Sequence, residues 1–221
     1  VPKGVSPELA GLVTPMANGV EWSLFDGQVG YNSTVLIQGP GQQGLSQTVI
    51  CKQAGAALII VTGTTKDAAR LKVAKELGAD YVIDVQKEDP LARIMEITGG
   101  KGVDLAINLV GGTLFGECMK CLARKGRLAV VGYVDGALTA EIDLSAVHAN
   151  RFEIFGISNS KITQEERKQA VAGFARDVLP AISDGRIVPL VDRVFDFADL
   201  QAAKDCMESS AMAGKIVVRV P

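Results

Sequence analysis

The chain has 221 residues and a formal net charge of −2 at pH 7, with 23 basic and 25 acidic residues scattered along it. This balance provides no basic patch, so we expect no nucleic-acid partner. No apolar run reaches the length of a membrane span, and the first residues lack the pattern of a signal peptide. The four cysteines fit reduced thiols better than a disulfide framework. We therefore expect a cytoplasmic protein without membrane contact.

An apolar run followed by closely spaced glycines is the most informative part of the sequence. Residues 34–38 are typical of a buried parallel strand, and apolar residues recur at helical spacing from Leu45 onward. Between them lies a G-x-G-x-x-G motif formed by Gly39, Pro40, Gly41, Gln42, Gln43 and Gly44. In a dinucleotide-binding turn, Gly39 allows the tight bend, Gly41 admits a pyrophosphate and Gly44 lets the helix pack closely on the strand. In this context the motif predicts a dinucleotide-binding site.

The residues after the motif alternate between strand and helix patterns. Further strands are predicted at 57–62, 81–83, 103–110, 128–131 and 152–156, and helices at 66–77, near 90–98 and from the charged run 161–168 to 179. Such repeats predict an α/β fold, a Rossmann-type doubly wound parallel sheet with helices on both faces. Because such sheets bind ligands at the carboxyl ends of their strands, four loops besides the glycine turn are candidates. They are residues 63–66, 109–112, 132–134 and 156–158.

A succession of short motifs resembles a known superfamily. The motifs lie at residues 39–44, 74–80, 102–106, 126–132 and 213–217. In order and spacing they are similar to the medium-chain dehydrogenase/reductase superfamily over nearly the whole chain. The resemblance is nearest to its zinc-type alcohol and polyol dehydrogenases, while residues 177–195 also look like its zinc-independent quinone reductases.

The resemblance implies a two-domain enzyme of which this chain is one part. In that superfamily a β-rich, GroES-like N-terminal domain carries the substrate pocket, the proton relay and, where present, the catalytic zinc ligands. We expect residues 1–30 to link from that absent domain, 31–187 to form the Rossmann dinucleotide-binding domain, and 188–221 to return and complete the other domain. A zinc ion is accordingly possible in the absent domain alone, and the resemblance leaves zinc-dependent and zinc-independent enzymes open. Zinc-type members often have glutamate at the position of Thr14, and this departure weakens the zinc interpretation.

The end of the second predicted strand bears on the choice of cofactor. NAD enzymes usually place an acidic residue there, whereas this chain has Gly63, followed by Thr64, Thr65 and Lys66. Without a carboxylate to repel it, a 2′-phosphate could be met by hydroxyl, amide and ammonium donors, so the sequence favours NADP over NAD. In the alternative interpretation the threonines cap the next helix and Lys66 is solvated. Arg70, one turn further along the helix, could add a contact to the phosphate, but we expect it on a solvated helix face.

The resemblance also implies cofactor contacts in the other loops. It places Val110 and Gly111 at the ribose, Gly132, Tyr133 and Val134 beside the nicotinamide, and Ile157 and Ser158 at its carboxamide. Tyr133 could also donate a proton, but a tyrosine next to a strand end is more often a packing residue. We therefore assign no residue of the chain a catalytic role.

The cysteines and the single histidine predict no metal site. Cys118 and Cys121 form a C-x-x-C, but no second pair or histidine cluster accompanies them, so we interpret them as buried structural residues. Cys51 and Cys206 lie in helical patterns and are expected to fill the core. His148 falls in a turn-rich stretch without a nucleophile or orienting acid nearby.

These observations predict the NAD(P)-binding domain of an oxidoreductase that transfers hydride between nicotinamide and a small alcohol or carbonyl substrate. The isolated chain is expected to bind cofactor without turnover. Two alternatives stay open: the cofactor domain of a quinone or enoyl reductase, and a non-catalytic nucleotide-sensing module. The strand at 152–156 is expected at a sheet edge, where pairing would produce a homodimer.

Overall fold

A six-stranded parallel sheet is the centre of the computed structural model, which describes residues 11, 13–186, 188, 190–209 and 212–221. Its order is β3-β2-β1-β4-β5-β6, and each strand pairs in parallel with its neighbours. The strands are β1 (Thr34–Gln38), β2 (Leu58–Gly63), β3 (Tyr81–Asp84), β4 (Val103–Asn108), β5 (Leu122–Val130) and β6 (Glu153–Gly156). Because β2 and β4 lie on opposite sides of β1, the chain reverses its winding at β1.

Helices connect the strands and precede the first of them. They are α1 (Val13–Val20), α2 (Gln42–Gln53), α3 (Ala68–Glu76), α4 (Pro90–Ile97), α5 (Phe115–Cys121), α6 (Leu144–Asn150), α7 (Gln164–Asp177) and α8 (Leu179–Ser183). A π-helical segment, Glu21–Asp26, follows α1. No helix among the described residues is long and apolar enough to cross a membrane.

Alternate residues of the central strands point into two separate cores. Val35 and Ile37 of β1 pack in one core together with residues of α2 and α3, such as Leu45 and Leu71. Leu36, between them, packs in the other core, which includes residues of α4 and α5. Helices therefore cover both faces of the sheet, and the predicted doubly wound Rossmann-type fold is confirmed.

The segment before β1 packs against the outside of α2. Met16 of α1 and Ile50 of α2 form a third apolar cluster with Phe174 and Ile182 of α7 and α8. The linking segment is thus part of the domain's packing from residue 13 onward. The predicted link at residues 1–10 and 12 lies outside the described residues.

The C-terminal part forms a second, smaller sheet. Strands β7 (Val191–Asp196) and β8 (Lys215–Arg219) pair in parallel and are connected through α9 (Leu200–Glu208). Arg70 of α3 reaches this part, since its Nε donates to the carbonyl oxygen of Met212 at 2.8 Å and its Nη1 to Asp67 at 3.1 Å. The expectation that Arg70 lies on a solvated face is therefore wrong. Its partner is 142 residues away in sequence.

Two local predictions also need correction. Strand β5 begins at Leu122 rather than at 128, because Leu122 already pairs with Val103 of β4. The register with β4 shifts between Leu122 and Arg127, where Lys125 has a positive φ of 64°, and this irregularity lets the strand continue through residues 124–126. His148 lies within α6 and not in a turn, since Asp143 caps that helix by accepting from the Ala146 amide.

Three of the four cysteines are buried, as the sequence predicts, while Cys206 is partly exposed. Burial raises the pKa of the Cys51 thiol to about 11 and that of Cys121 to about 12. Burial also raises the pKa of Cys118, whose Sγ donates to Oε1 of Gln38 at 3.0 Å. Such thiols carry little of the reactive thiolate at neutral pH.

We expect iodoacetamide to modify Cys206 first in the folded protein at pH 8. The raised pKa values of Cys51, Cys118 and Cys121 keep these thiols protonated, and burial excludes the reagent. Peptide mass spectrometry over time measures each site, with protein in urea as the control in which all four react. Early labelling of Cys118 or Cys121 in the folded protein would contradict their structural role.

Candidate cofactor site

The glycine turn joins β1 to α2 at the point where the winding of the sheet reverses. Gly39 has φ of +100°, a conformation that side chains rarely adopt, and its amide donates to the carbonyl oxygen of Thr62 at 3.0 Å. A Cβ on Gly44 would lie 2.0 Å from the carbonyl oxygen of Gly39. The helix therefore starts directly on the turn, and residue 44 has to be glycine for this approach.

The first turn of α2 is open to an anion. Gly41 is the residue before the helix and provides no side-chain cap to the amides of the first turn. No heavy atom lies within 4 Å of the position that a Cβ on Gly41 would take. Uncapped amides and the positive end of the helix dipole attract phosphate groups. A pyrophosphate therefore fits this turn.

Polar side chains join Gln43 of the motif to two other segments. The Oε1 of Gln43 accepts from Nδ2 of the buried Asn18 in α1 at 3.4 Å. The Oδ1 of Asn18 accepts in turn from Nδ2 of Asn159 at 2.9 Å, in the loop after β6. These contacts link the glycine turn to the loop that contains Ile157 and Ser158. Sequence analysis missed Asn18, because its partners are 25 and 141 residues away.

The end of β2 is held by two carboxylates. The amide and hydroxyl of Thr64 donate to Oδ2 of Asp67 at 3.0 and 2.8 Å, forming a capping box. The hydroxyl of Thr65 donates to Oδ2 of Asp84, at the end of β3, at 2.8 Å. The capping role considered for the two threonines is thus present for Thr64 but not for Thr65, and the nearby acids come from positions other than Gly63.

Basic side chains neutralise both carboxylates. Asp67 pairs with Arg70 at 3.1 Å, and Asp84 pairs with Nζ of Lys87 at 2.9 Å. The hydrogen bond from Lys87, together with that from Thr65, lowers the pKa of Asp84, so this group is ionised at neutral pH. Lys66 is exposed and pairs with no carboxylate among the described residues. It provides the unpaired positive charge of this loop.

Asn108, the last residue of β4, shapes the loop that follows. Its Oδ1 accepts from the amides of Val110 and Gly111, each at 2.9 Å, and its Nδ2 donates to the carbonyl oxygen of Gly111 at 2.8 Å. The side chain is fully buried. Asn108 therefore fixes the two residues that the superfamily places at the ribose. Its role was missed in the sequence, although a buried polar residue at a strand end signals such a partner.

The loops after β5 and β6 lie at the same edge of the sheet. Gly132 sits close to the preceding loop, since a Cβ on it would lie 2.7 Å from the carbonyl oxygen of Leu109. Tyr133 and Val134 are 67% and 88% exposed and leave their side chains free to meet a ligand. Ile157 is buried and its amide donates to the carbonyl oxygen of Val130 at 2.9 Å, while Ser158 caps a short 3₁₀ turn.

The described residues do not fit a zinc ion. They contain no group of three or more histidine, cysteine or acidic side chains that could hold a metal. In the C-x-x-C, the thiol of Cys118 is already bonded to Gln38, and burial keeps both thiols protonated. Zinc needs deprotonated thiolates in a tetrahedral set. The described residues therefore offer no set of ligands for a catalytic metal.

A second concave region lies away from the sheet edge. It is a cleft of about 500 Å³ between α1, the π-helical segment and α7, lined by Glu21, Phe25 and Glu166 among others. Burial and the neighbouring Asp26 and Glu166 raise the pKa of Glu21. Because carboxylates line this cleft, it suits the phosphates of a dinucleotide less well than the glycine turn does.

Comparison with known proteins identifies the family of the chain. The family model for zinc-binding dehydrogenases matches residues 44–176, more than half of the chain. D-arabitol-phosphate dehydrogenase from Enterococcus avium is 32% identical over 157 residues, which cover 71% of this chain and 44% of that enzyme. A mycobacterial quinone oxidoreductase superposes with a TM-score of 0.84 at 26% identity, covering 100% of this chain and 67% of the other. A mycobacterial protein in complex with NADPH gives 0.84 at 25% identity, covering 100% and 66%.

The parallel sheet and the glycine turn at its reversal point define a Rossmann-type dinucleotide-binding domain. The chain belongs to the zinc-binding dehydrogenases of the medium-chain dehydrogenase/reductase superfamily, and its six-stranded sheet corresponds to the cofactor-binding domain. The superfamily predicted from the sequence motifs is confirmed. The chain spans about half the length of the curated relatives it matches.

We expect Gly44→Ala to destabilise the protein by about 3 kcal/mol or more, because its methyl group would overlap the backbone oxygen of Gly39. The matched control is Gly41→Ala, whose methyl group meets open space at a φ of −70° and should change stability by less than about 1 kcal/mol. Urea unfolding followed by circular dichroism compares the two variants. Equal stabilities would show that α2 does not start as closely on the turn as described.

Proposed function

We propose that this chain binds NADP, and NAD more weakly, as the cofactor domain of an oxidoreductase that acts on a small alcohol or carbonyl compound. When bound, the nicotinamide ring supplies a hydride acceptor or donor. The chain's own residues hold the dinucleotide along the carboxyl edge of the sheet. The proposed reaction belongs to the whole enzyme, and the proposed role of this chain within it is to bind the cofactor.

The observation that carries the proposal is the open start of α2. The Gly39–Gly44 turn exposes uncapped helix amides at the reversal point of the sheet and leaves free space beside Gly41. A pyrophosphate bound there would direct one nucleoside towards the end of β2 and the other towards the loops after β4, β5 and β6. The mycobacterial protein bound to NADPH has the same fold at 25% identity, which supports this placement.

The preference for NADP rests on the charges at the end of β2. Asp67 and Asp84 are each neutralised by a basic neighbour, so Lys66 remains to attract a 2′-phosphate. The amide and hydroxyl of Thr64 are already bonded to Asp67 of this loop, and those of Thr65 to Gln86 and Asp84 at the end of β3. The selectivity should therefore come mainly from charge, and it should fall as salt is added.

The wild-type chain should bind NADPH more tightly than NADH, as followed by nicotinamide fluorescence at one fixed salt concentration. Lys66→Ala should weaken NADPH binding roughly three- to tenfold and leave NADH nearly unchanged, because an exposed charge-assisted contact to the 2′-phosphate is lost. Lys72→Ala is the matched control, since Lys72 is exposed on α3 and pairs with Glu76.

A second pair of variants tests the same loop by adding charge. Gly63→Asp places a carboxylate where NAD enzymes usually have one, and Gly63→Ala adds the methyl group without charge. The alanine control matters because a Cβ on Gly63 meets Pro40 at 3.0 Å. Tighter binding of NADH by the wild type, or equal behaviour of the two Gly63 variants, would contradict the NADP preference. Failure of the wild type to bind either nucleotide would contradict the proposed function.

We also propose that the segment after Val188 packs on a further domain. Helix α9 and the 3₁₀ turn before it expose large apolar side chains, including Phe197, Leu200 and Met207, each about half exposed. Such a surface is typical of one that another domain covers. Substrate-contacting and catalytic groups would then lie mainly in that domain, so the chain alone should show no appreciable turnover of alcohols.

The exposed edge of β6 is the proposed homodimer contact. Ile154 is 37% exposed, and among the described residues β6 pairs with β5 and with no strand on its other side. The amide of Ile157 donates towards β5, and donors alternate along a strand, so the amide of Ile154 points to the open side. Two copies could pair their backbones there.

We expect sedimentation velocity to show a concentration-dependent dimer. Ile154→Lys should shift the protein towards monomer, because a charged side chain at the edge opposes strand pairing, whereas Ile154→Val should leave the dimer intact. A wild-type chain that stays monomeric at high concentration, or a Lys variant that dimerises as strongly as the wild type, would count against this contact.

A further inference from the structure

Two of the cofactor loops are joined by one side chain that sequence analysis did not select. Loop A, residues 109–113 after β4, contains Val110 and Gly111. Loop B, residues 132–137 after β5, contains Tyr133 and Val134. Between them lies Asp135, an exposed residue of loop B that makes hydrogen bonds to both loops.

Asp135 ties loop B to loop A through three donors. Its Oδ2 accepts from the amide of Thr113 at 2.9 Å and also from the Thr113 hydroxyl, and its own amide donates to the carbonyl oxygen of Val110 at 3.1 Å. Its Oδ1 accepts from the amide of Ala137 at 2.9 Å, which closes the turn within loop B. The hydroxyl of Thr113 lowers the pKa of Asp135, so the carboxylate is ionised at neutral pH.

Gly111 makes this contact possible. Its φ is +140°, and a Cβ built on it would lie 1.9 Å from Oδ1 of Asp135. The carboxylate therefore occupies the space that any side chain at position 111 would take. Glycine at this position serves the contact between the loops as well as the bend of loop A.

Tyr133 and Val134 lie between two residues whose backbone or side chain is hydrogen-bonded to neighbouring segments. Before them, the amide of Gly132 donates to the carbonyl oxygen of Asn108 at 3.4 Å. After them, Asp135 accepts from the amide of Thr113. The two residues between these contacts are exposed. Backbone bonds also hold this region, since the amides of Gly112 and Gly136 donate to the carbonyl oxygens of Ala137 and Tyr133 at 3.1 and 2.9 Å. Asp135 adds the side-chain contact to Thr113, and the backbone position of the two exposed residues depends in part on it.

We propose that Asp135 is a positioning residue that fixes Tyr133 and Val134 for the nicotinamide half of the cofactor. The inference rests on the proposed function, since it assumes that a dinucleotide lies along this edge. Asp135 acts through the loops and not by contact with the reacting atoms. Loss of its bonds to Thr113 should loosen the nicotinamide end of the site and leave the adenosine end, near Lys66, as it was.

Two variants remove the contact from either side. Asp135→Asn keeps the size of the side chain but puts a donor group in place of one acceptor oxygen, and Thr113→Val removes the hydroxyl while keeping the amide. Glu141→Gln is the matched control, because it removes one negative charge from the same exposed segment without touching these loops.

The first measurement needs no ligand. Amide hydrogen exchange followed by NMR should show the Thr113 amide exchanging about tenfold faster in Asp135→Asn than in the wild type or Glu141→Gln. Unchanged exchange at Thr113 would show that the two loops are not held by Asp135, and it would overturn the proposal.

The second measurement compares two probes, NADPH and 2′,5′-ADP, which has the adenosine half alone. Both loop variants should weaken NADPH binding about five- to tenfold and change 2′,5′-ADP binding by less than twofold, because hydrogen bonds to a carboxylate are strong and confined to one end of the site. A general loss of structure would instead weaken both probes.

The outcomes separate this inference from the proposed function. If the wild type binds NADPH and the loop variants bind it equally well, the positioning role fails while the proposed function stands. An equal loss for both probes also overturns the positioning role. If the wild type binds neither probe, the proposed function fails, and the role of Asp135 at the nicotinamide fails with it, whatever the hydrogen exchange shows.

Discussion

The close approach of α2 to the end of β1 is the constraint on which the rest of the site depends. A methyl group at Gly44 would stand 2.0 Å from the carbonyl oxygen of Gly39, so the helix can begin there because residue 44 has no side chain. This position aims the uncapped amides of α2 at the open space beside Gly41. Backbone geometry alone thus presents amides suited to an anion, without a cationic side chain in the motif. The first core holds the helix against the sheet, because Leu45 of α2 packs there with Val35 and Ile37 of β1.

The loops around this turn are held by polar side chains from the ends of neighbouring strands. Asn108 bonds to the backbone of the loop that follows its own strand, and Asp84 bonds to the hydroxyl of Thr65 beyond the adjacent strand. Backbone groups that leave a sheet lose their ladder partners and need others. At this edge the partners are side chains placed by the sheet itself, so the positions of the loops follow from the register of the strands.

Local patterns in the sequence were sufficient for the fold and for the position of the glycine turn. The strands are continuous apolar runs, and the motif is contained in six consecutive residues, so both follow from short-range geometry. Contacts over long distances in sequence could not be found in this way. The sequence around Arg70 is typical of a solvated helix face, and its bond to Met212 is visible only in the folded chain. Asn18 likewise bonds to Gln43 and Asn159, which are distant in sequence. His148 was misplaced because the cap from Asp143, five residues earlier, was not recognised.

The end of β2 shows why composition at a single position is a weak guide to cofactor selectivity. Gly63 lacks the acid of an NAD site, yet Asp67 and Asp84 bring two carboxylates to the same loop. The net charge near a 2′-phosphate depends on how far each carboxylate is neutralised. Arg70 pairs with Asp67, and Lys87 pairs with Asp84. Arg70 is held in place by its bond to Met212 in the C-terminal part. The charge available to the cofactor is therefore coupled to the docking of residues far along the chain, since release of Arg70 would leave Asp67 free to repel a phosphate.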